Sequence, residues 1–185
     1  MLTGDRQLAG DVTVRRLRSD EAELLRDVRL AALADSPDSF GETLRDAQAA
    51  DWHARAVDGA ALADRAVFVA VVSAVPVGMV FVKCGSLPEP AFLGAMWVRP
   101  EFRRRGVGAS LVQRALDFLR AAGQTELSLW VTRGHDGVVD FYQGLGFQRT
   151  NATSALRPDA DTVIDELRRR VEAVPPSDPS EAAGQ

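Results

Sequence analysis

The chain has 185 residues, of which 46% are hydrophobic, and this is enough apolar material for one compact domain with a substantial core. Its formal net charge of -4 at pH 7 argues against a general nucleic-acid-binding protein, for which a basic domain is expected. The single cysteine, Cys84, excludes a disulfide framework and a cysteine zinc site. No apolar run approaches the length of a membrane span and no signal peptide is recognisable, so a cytoplasmic protein is expected.

The N-terminal part of the chain is predicted to form a strand followed by two helices. β-Branched residues alternate over residues 12–17, which is typical of a strand. A helix capped by Ser19 or Asp20 is predicted to run to about Leu33, because Ser and Asp are favoured N-caps. A proline-containing segment then ends this helix, and a second helix is expected within residues 44–57.

Short apolar runs in the middle of the chain predict an antiparallel meander of strands, followed by a helix and a further strand. The helix crosses over between the last two strands, which should therefore be parallel. The predicted strands cover residues 67–72, 75–83, 91–98 and 127–131, and the helix covers residues 108–122 with Gly123 as its left-handed C-terminal cap.

The turn that precedes this helix carries the most informative pattern of the sequence. The first N–H groups of a helix have no intrahelical acceptor, and the helix dipole adds partial positive charge there. Gly106 and Gly108 lack a Cβ and would let an anion approach the backbone. A solvated basic turn would explain the nearby arginines alone, whereas a phosphate-binding site explains the glycines and the arginines together. The arginines are Arg99, Arg103, Arg104 and Arg105.

Two common phosphate-binding patterns do not fit this turn. Leu111 stands where a dinucleotide-binding loop needs a third Gly or Ala, and the chain has no Gly-Lys-Ser/Thr sequence of a P-loop. The pattern Arg103-x-x-Gly106-x-Gly108-Ala109 instead resembles the Arg/Gln-x-x-Gly-x-Gly/Ala signature of the GNAT-superfamily N-acetyltransferases, which bind acetyl-CoA.

The resemblance implies which residues bind acetyl-CoA as cosubstrate. In this family the loop and the helix start wrap the CoA pyrophosphate, and the preceding strand carries the acyl end. One departure is Arg104, which stands where glycine is common and adds charge. The implied contacts are Met96, Trp97 and Val98 on the strand, and Arg103, Arg104, Arg105, Gly106, Val107, Gly108, Ala109 and Ser110 in the loop and helix start.

Residues 132–147 resemble a second GNAT signature, in which a short helix precedes a Gly-Phe turn. The pairs Phe141-Tyr142 and Gly146-Phe147 match this signature at the correct spacing. His135 replaces the usual Asn and Val138 the usual Ala, at positions where the family contacts the pantetheine arm. The implied cofactor contacts in this segment are His135, Val138 and Phe141.

Tyr142 is the predicted catalytic residue. In the family the matching tyrosine lies near the CoA sulfur and protonates the departing thiolate. A phenol with a pKa of about 10 is protonated at neutral pH and can donate to developing charge on sulfur. A tyrosine that only packs is the alternative. His135 could act as a general base or could be a loop histidine that caps the next helix, and the base is left unassigned.

The acceptor region and the C-terminal part are predicted from the same resemblance. In the family a helix–loop–helix region lies over the acceptor site; here Phe40 and Trp52 are candidates for its apolar wall, with a core position as the alternative for Trp52. Composition favours a helix over residues 161–170, but the resemblance favours a closing strand, which we predict. Residues 173–185 are expected to be a disordered tail.

The sequence as a whole predicts an α/β (α+β) GNAT fold, with a mixed, mostly antiparallel sheet flanked by helices, in a single domain over residues 1–172. The resemblance implies direct transfer of an acetyl group from acetyl-CoA to a small-molecule or peptide amine. A non-catalytic CoA-binding regulatory module is the alternative, and a nucleotide-binding protein is a more distant one. No metal, nucleic acid or membrane partner is expected. The identity of the amine and the oligomeric state stay open, with a homodimer as one option.

Overall fold

The computed structural model describes residues 12–86, 88–158 and 160–172, so the predicted disordered tail lies outside the described residues. A seven-stranded sheet forms its centre. The strands are β1 (Thr13–Arg16), β2 (Arg65–Val72), β3 (Val75–Lys83), β4 (Ala91–Val98), β5 (Glu126–Thr132), β6 (Gln148–Ala155) and β7 (Val163–Arg170). Their spatial order is β1-β2-β3-β4-β5-β7-β6, and every neighbouring pair is antiparallel except β4 and β5. The predicted mixed, mostly antiparallel sheet is confirmed.

Helices cover both faces of the sheet. They are α1 (Ala22–Asp35), α2 (Leu44–Gln48), α3 (Trp52–Ala61), α4 (Val107–Ala121) and α5 (Asp136–Gly144), with short 3₁₀ turns at Pro37–Ser39 and Pro100–Phe102. Alternate side chains of β2 point to opposite faces, as the period of a strand requires. Phe68 therefore packs in the core formed with α4, and Val69 packs in the core formed with α1 and α3.

Two details of the N-terminal helices differ from the sequence prediction. Helix α1 begins after Glu21, not after Ser19 or Asp20, and the Glu21 carboxylate accepts a hydrogen bond of 2.9 Å from the Arg18 backbone N–H. The single helix expected within residues 44–57 is two helices. The second one starts at Asp51, whose carboxylate caps the Ala54 N–H at 3.0 Å.

The tight hairpin and the closing strand are confirmed. Ser73 and Ala74 connect β2 to β3 with positive φ angles of 47° and 67°, as the favoured two-residue hairpin turns require. Strand β7 pairs with β5 on one side and β6 on the other. Its position between two strands outweighs the helical preference of its charged residues, because tertiary context overrides propensity.

Strands β4 and β5 separate soon after they begin. The predicted parallel pairing is present, but it is limited to Ala91 with Leu127 and Phe92 with Ser128. Farther along, β4 has a register irregularity opposite β3, and Ala95 there has a φ of 51°. An extra residue in one strand bends that strand and strengthens its twist. The two strands therefore diverge towards their C-terminal ends and leave a gap in the middle of the sheet.

Candidate active site

A cleft of about 1400 Å³ occupies the gap between β4 and β5. The turn before α4 and the segment around α5 form one end of it, and we name this part the turn end. The connection after α1 forms the other part, which we name the α1 end and define by Arg29, Ser36, Ser39, Phe40, Gly41 and Leu156. Two strand segments, residues 92–98 of β4 and 129–132 of β5, form the walls between these ends.

The start of α4 presents free backbone donors at the turn end. Its N-cap is Gly106, which has a φ of 80° and offers no side chain to the helix, and the first turn holds no acidic residue. Within the described residues, no backbone acceptor is found for the N–H groups of Val107, Gly108 and Ala109. Such a helix start attracts an anion, because unpaired N–H groups and the helix dipole act together.

Gly108 sits where a side chain would crowd the cleft. A Cβ built on it would lie 3.1 Å from both Met96 Cε and Phe141 Cζ, which is tighter than most real contacts. Met96 belongs to β4 and Phe141 to α5, so the missing side chain lets three elements meet at one point. The site is therefore a close-fitting surface that a residue larger than glycine would fill.

The arginines of the turn have different surroundings. Arg103 donates from Nε to the Val98 carbonyl at 2.8 Å and from Nη2 to Asp35 Oδ2 at 2.5 Å, which holds the turn against β4 and the end of α1. Arg104 lines the cleft and has a φ of 62°. Arg105 lies over the ring of Phe102 at 5.7 Å and does not line the cleft.

Tyr142 lines the cleft and is buried, with 5% of its surface exposed. Its ring packs edge-on against Phe141 and Phe147, at centroid distances of 5.0 and 5.4 Å. Burial raises the pKa of its phenol above the ordinary value of 10.0, so the group keeps its proton at neutral pH. Among the described residues, no side-chain or backbone group hydrogen-bonds to the Tyr142 hydroxyl, which leaves this hydroxyl available to a ligand.

His135 occupies the N-cap position of α5. Its backbone carbonyl accepts from the Val138 and Val139 N–H groups at 2.9 and 3.1 Å, while its side chain makes no capping bond. Both His135 and Val138 line the cleft, and Val138 is 42% exposed. The side chain of His135 therefore does not cap α5, and within the described residues no hydrogen bond to its imidazole is found.

The structure brings most of the predicted site residues together around the cleft. The residues that line it are Met96, Trp97, Val98, Arg103, Arg104, Gly106, Gly108, Ala109, His135, Val138, Phe141 and Tyr142. Three predicted contacts do not line it. Val107 is 3% exposed and packs in the core, Arg105 covers Phe102, and Ser110 is exposed on the outer side of α4.

The α1 end contains residues that the sequence analysis did not select as site residues. Phe40 lines the cleft, as its proposed place in an apolar wall requires, but Trp52 is buried in the core between α1, α3 and the sheet. Arg29 was not predicted at all. A signal for it exists, because it falls within the apolar stripe of α1 formed by Leu25, Val28, Ala32 and Leu33.

Comparison with known proteins identifies the family to which the chain belongs. The model of the family described as Acetyltransferase (GNAT) family matches residues 26–147. The match covers more than half of the chain, and the chain belongs to the GNAT family of acetyltransferases. None of the helices in the described ranges has the length and hydropathy that a bilayer span requires.

Individual relatives agree with this family at different levels of detail. An uncharacterized N-acetyltransferase of Methanocaldococcus jannaschii is 34% identical over 86 residues, which are 44% of this chain and 38% of the relative. The mycothiol acetyltransferase of Stackebrandtia nassauensis is 32% identical over 153 residues, which are 79% of this chain and 47% of the relative. The chain thus spans less than half the length of either protein.

A solved structure shows the same fold at low sequence identity. It is a putative acetyltransferase from Salmonella typhimurium with its cofactor acetyl-CoA. It superposes with a TM-score of 0.69 and 14% identity, and the match covers 91% of this chain and 99% of that one.

Proposed function

We propose that this chain transfers an acetyl group from acetyl-CoA to an amine by direct attack of the amine on the thioester. The observation that carries the proposal is that one cleft is lined both by the uncapped start of α4 and by the buried phenol of Tyr142. An anion site alone would suit many phosphate ligands. A proton donor in the same cleft suits a ligand whose leaving group becomes negative.

The residues around the turn end fit acetyl-CoA. Free N–H groups of Val107, Gly108 and Ala109, with the guanidinium of Arg104, would bind the pyrophosphate. The open edge of β4 beyond Phe92 would bind the pantetheine arm, because this edge has no ladder partner in β5. When bound, acetyl-CoA supplies an activated acyl group with a thiolate as its leaving group.

The chain's own residues then have separate tasks. The backbone of β4 near Trp97 and Val98 polarises the acyl carbonyl through an N–H donor. Tyr142 holds a proton that it donates to sulfur as the thiolate departs, and its burial keeps that proton in place across the neutral range before the reaction. The proton that the attacking nitrogen loses passes to solvent, and the phenol regains a proton from solvent after each turnover. The amine enters from the α1 end, where Phe40 lines the same cleft.

Two comparisons support the donor and the reaction. The structural neighbour from Salmonella typhimurium holds acetyl-CoA on the same fold, and the partly matching relative from Stackebrandtia nassauensis is named an acetyltransferase. The acceptor of neither protein can be assigned to this chain. The first protein shares only its fold, and the second is matched over less than half its length.

The test measures binding and turnover separately. Calorimetry with CoA should show binding, and release of free thiol from acetyl-CoA should depend on an amine drawn from a broad panel. If CoA binds but no amine stimulates thiol release, the chain would be a non-catalytic CoA-binding module and not an enzyme. A folded protein that does not bind CoA would overturn both assignments.

A further inference from the structure

Arg29 places a buried positive charge at the α1 end of the cleft. It lies on the apolar stripe of α1 and is only 9% exposed. Its guanidinium lies over the ring of Phe40, 4.6 Å from the ring centroid, and both residues line the cleft. A charged side chain is rarely buried unless it is fully paired, so its partners are informative.

The guanidinium is only partly satisfied by the protein. Its Nε donates to Glu42 Oε2 at 3.0 Å, but its buried Nη1 finds no acceptor within the described residues. The other oxygen of Glu42 pairs with Arg55 at 2.7 Å, so two guanidinium groups share one carboxylate. One positive charge is therefore left over beside the cleft, and a buried donor without an acceptor costs free energy.

The acidic residues of the cleft do not offset this charge. Among the described residues that line the cleft, the acidic ones are Asp136 and Asp140, and both belong to α5 at the turn end. At the α1 end the charged lining residue is Arg29. A polycationic amine would meet repulsion there, whereas an anionic group would find a guanidinium fork that has spare donors.

We propose that Arg29 binds a carboxylate of the acceptor, so that the acceptor is an amine that also carries a carboxylate, as a free amino acid does. This inference rests on the proposed function, because it assigns the α1 end to the amine. A carboxylate matches the site in two respects. Its single negative charge would balance the one positive charge that remains because two guanidinium groups share the carboxylate of Glu42. Its two oxygens fit the planar fork of a guanidinium.

The test compares amines that differ only in the carboxylate, namely leucine, leucinamide and 3-methylbutylamine, with acetyl-CoA as donor. For the unaltered chain kcat/KM should be highest for leucine. Arg29→Gln should lower kcat/KM for leucine by about ten- to a hundredfold and leave that for 3-methylbutylamine nearly unchanged, since it removes charge-assisted hydrogen bonds. Differences in amine basicity cancel, because each amine is compared between variants.

Two further variants make the test specific to Arg29. Arg29→Lys should restore part of the preference for leucine, because it keeps the charge but not the fork. Arg26→Gln is the matched control, since it removes the same charge from the same helix, pairs with Glu23 and does not line the cleft, and it should keep the preference. Equal loss of the preference in Arg26→Gln and Arg29→Gln would overturn the proposal.

The remaining outcomes separate this inference from the proposed function. Acetylation of all three amines, with ratios that Arg29→Gln does not change, overturns the carboxylate site and leaves the acetyltransferase standing. If no amine is acetylated, calorimetric titration of leucine into the CoA-saturated protein decides. Binding that Arg29→Gln abolishes supports the site, and absence of binding overturns it. CoA affinity and melting temperature measured on each variant show that it is folded.

Discussion

The carboxylate of Asp35 accepts a hydrogen bond of 2.9 Å from the indole Nε1 of Trp97, which joins the last residue of α1 to the strand that forms one wall of the cleft. The same oxygen accepts from Arg103 at 2.5 Å. Helix α1, strand β4 and the turn before α4 therefore meet at one carboxylate. The position of the turn relative to the strand depends on this small network.

Asp35→Asn should lower stability in a pH-dependent way. The bond from Trp97, with those from Ser36 and Arg103, holds the pKa of Asp35 below its ordinary value of 3.8 against the opposing effect of burial. A lowered pKa in the folded state means that the charged form stabilises the fold above pH 3.8, and that this stability is lost as the pH falls below it. We expect a loss of about 0.5 kcal/mol at pH 7, because solvent screens this partly exposed group.

Urea denaturation of both proteins between pH 7 and pH 3 checks this expectation. The difference in free energy of unfolding should be constant at neutral pH and should shrink as Asp35 is protonated. Asp38→Asn, in the neighbouring 3₁₀ turn, is the control because no hydrogen bond of its side chain is found within the described residues, and it should show little effect. A difference for Asp35→Asn that does not change with pH would mean that packing, and not charge, stabilises this contact.

Gly108→Asp should abolish CoA binding in a folded protein. The new carboxylate would stand at the free N–H groups of α4 and would crowd Met96 and Phe141, so it would occupy the place of the pyrophosphate. Ser110→Asp is the matched control, since it adds the same charge to the same helix turn outside the cleft. Calorimetry should show CoA affinity at least about a hundredfold weaker for Gly108→Asp, while Ser110→Asp changes it much less. Equal CoA affinities in the two variants would place the anion site elsewhere.

Tyr142→Phe should slow the reaction without weakening CoA binding. The substitution keeps the ring between Phe141 and Phe147 and removes one proton donor. A general acid contributes about 10²–10⁴ in rate, and we expect a loss of kcat near the lower limit, since water that reaches the sulfur can replace the phenol. Burial raises the pKa of Tyr142, so its deprotonation should not reduce the rate of the unaltered enzyme below pH 10.0. A Phe variant with full kcat, when chemistry limits the rate, would make Tyr142 a packing residue.

Phe40 and Trp52 should respond differently to mild substitutions. Both are 8% exposed, but Phe40 lines the α1 end and supports Arg29, whereas Trp52 packs in the core. Phe40→Leu should raise the KM for the amine by about three- to tenfold and leave the KM for acetyl-CoA unchanged, because it removes the ring under the guanidinium. Trp52→Phe should change neither constant and should lower only the melting temperature. The opposite pattern would place Trp52, and not Phe40, in the acceptor wall.

The order of elements and the uncapped start of α4 are properties that the sequence alone determines. Residues 91–121 combine an apolar run, a turn with two glycines and a helical stripe of apolar residues. Each of these patterns predicts the backbone structure of its own segment. The structure has the strand, the uncapped helix start and the positive φ of Gly106 in these places. Gly123, predicted as a left-handed cap, has a φ of 70°. Such features need no distant partner, because backbone sterics and hydrogen bonds within a few residues decide them.

The tertiary structure alone decides which side chains enter the cleft. Nothing in the local pattern separates Arg104, which lines it, from Arg105, which lies over Phe102. The direction of each depends on how α4 packs on the sheet and on where β4 and β5 separate. Arg29 stands far from the turn in the sequence and reaches the cleft because α1 packs beside β4. Packing between elements that are distant in sequence decides whether such an arginine reaches the cleft. The hydrophobic periodicity of the sequence indicates only which face of a helix is buried.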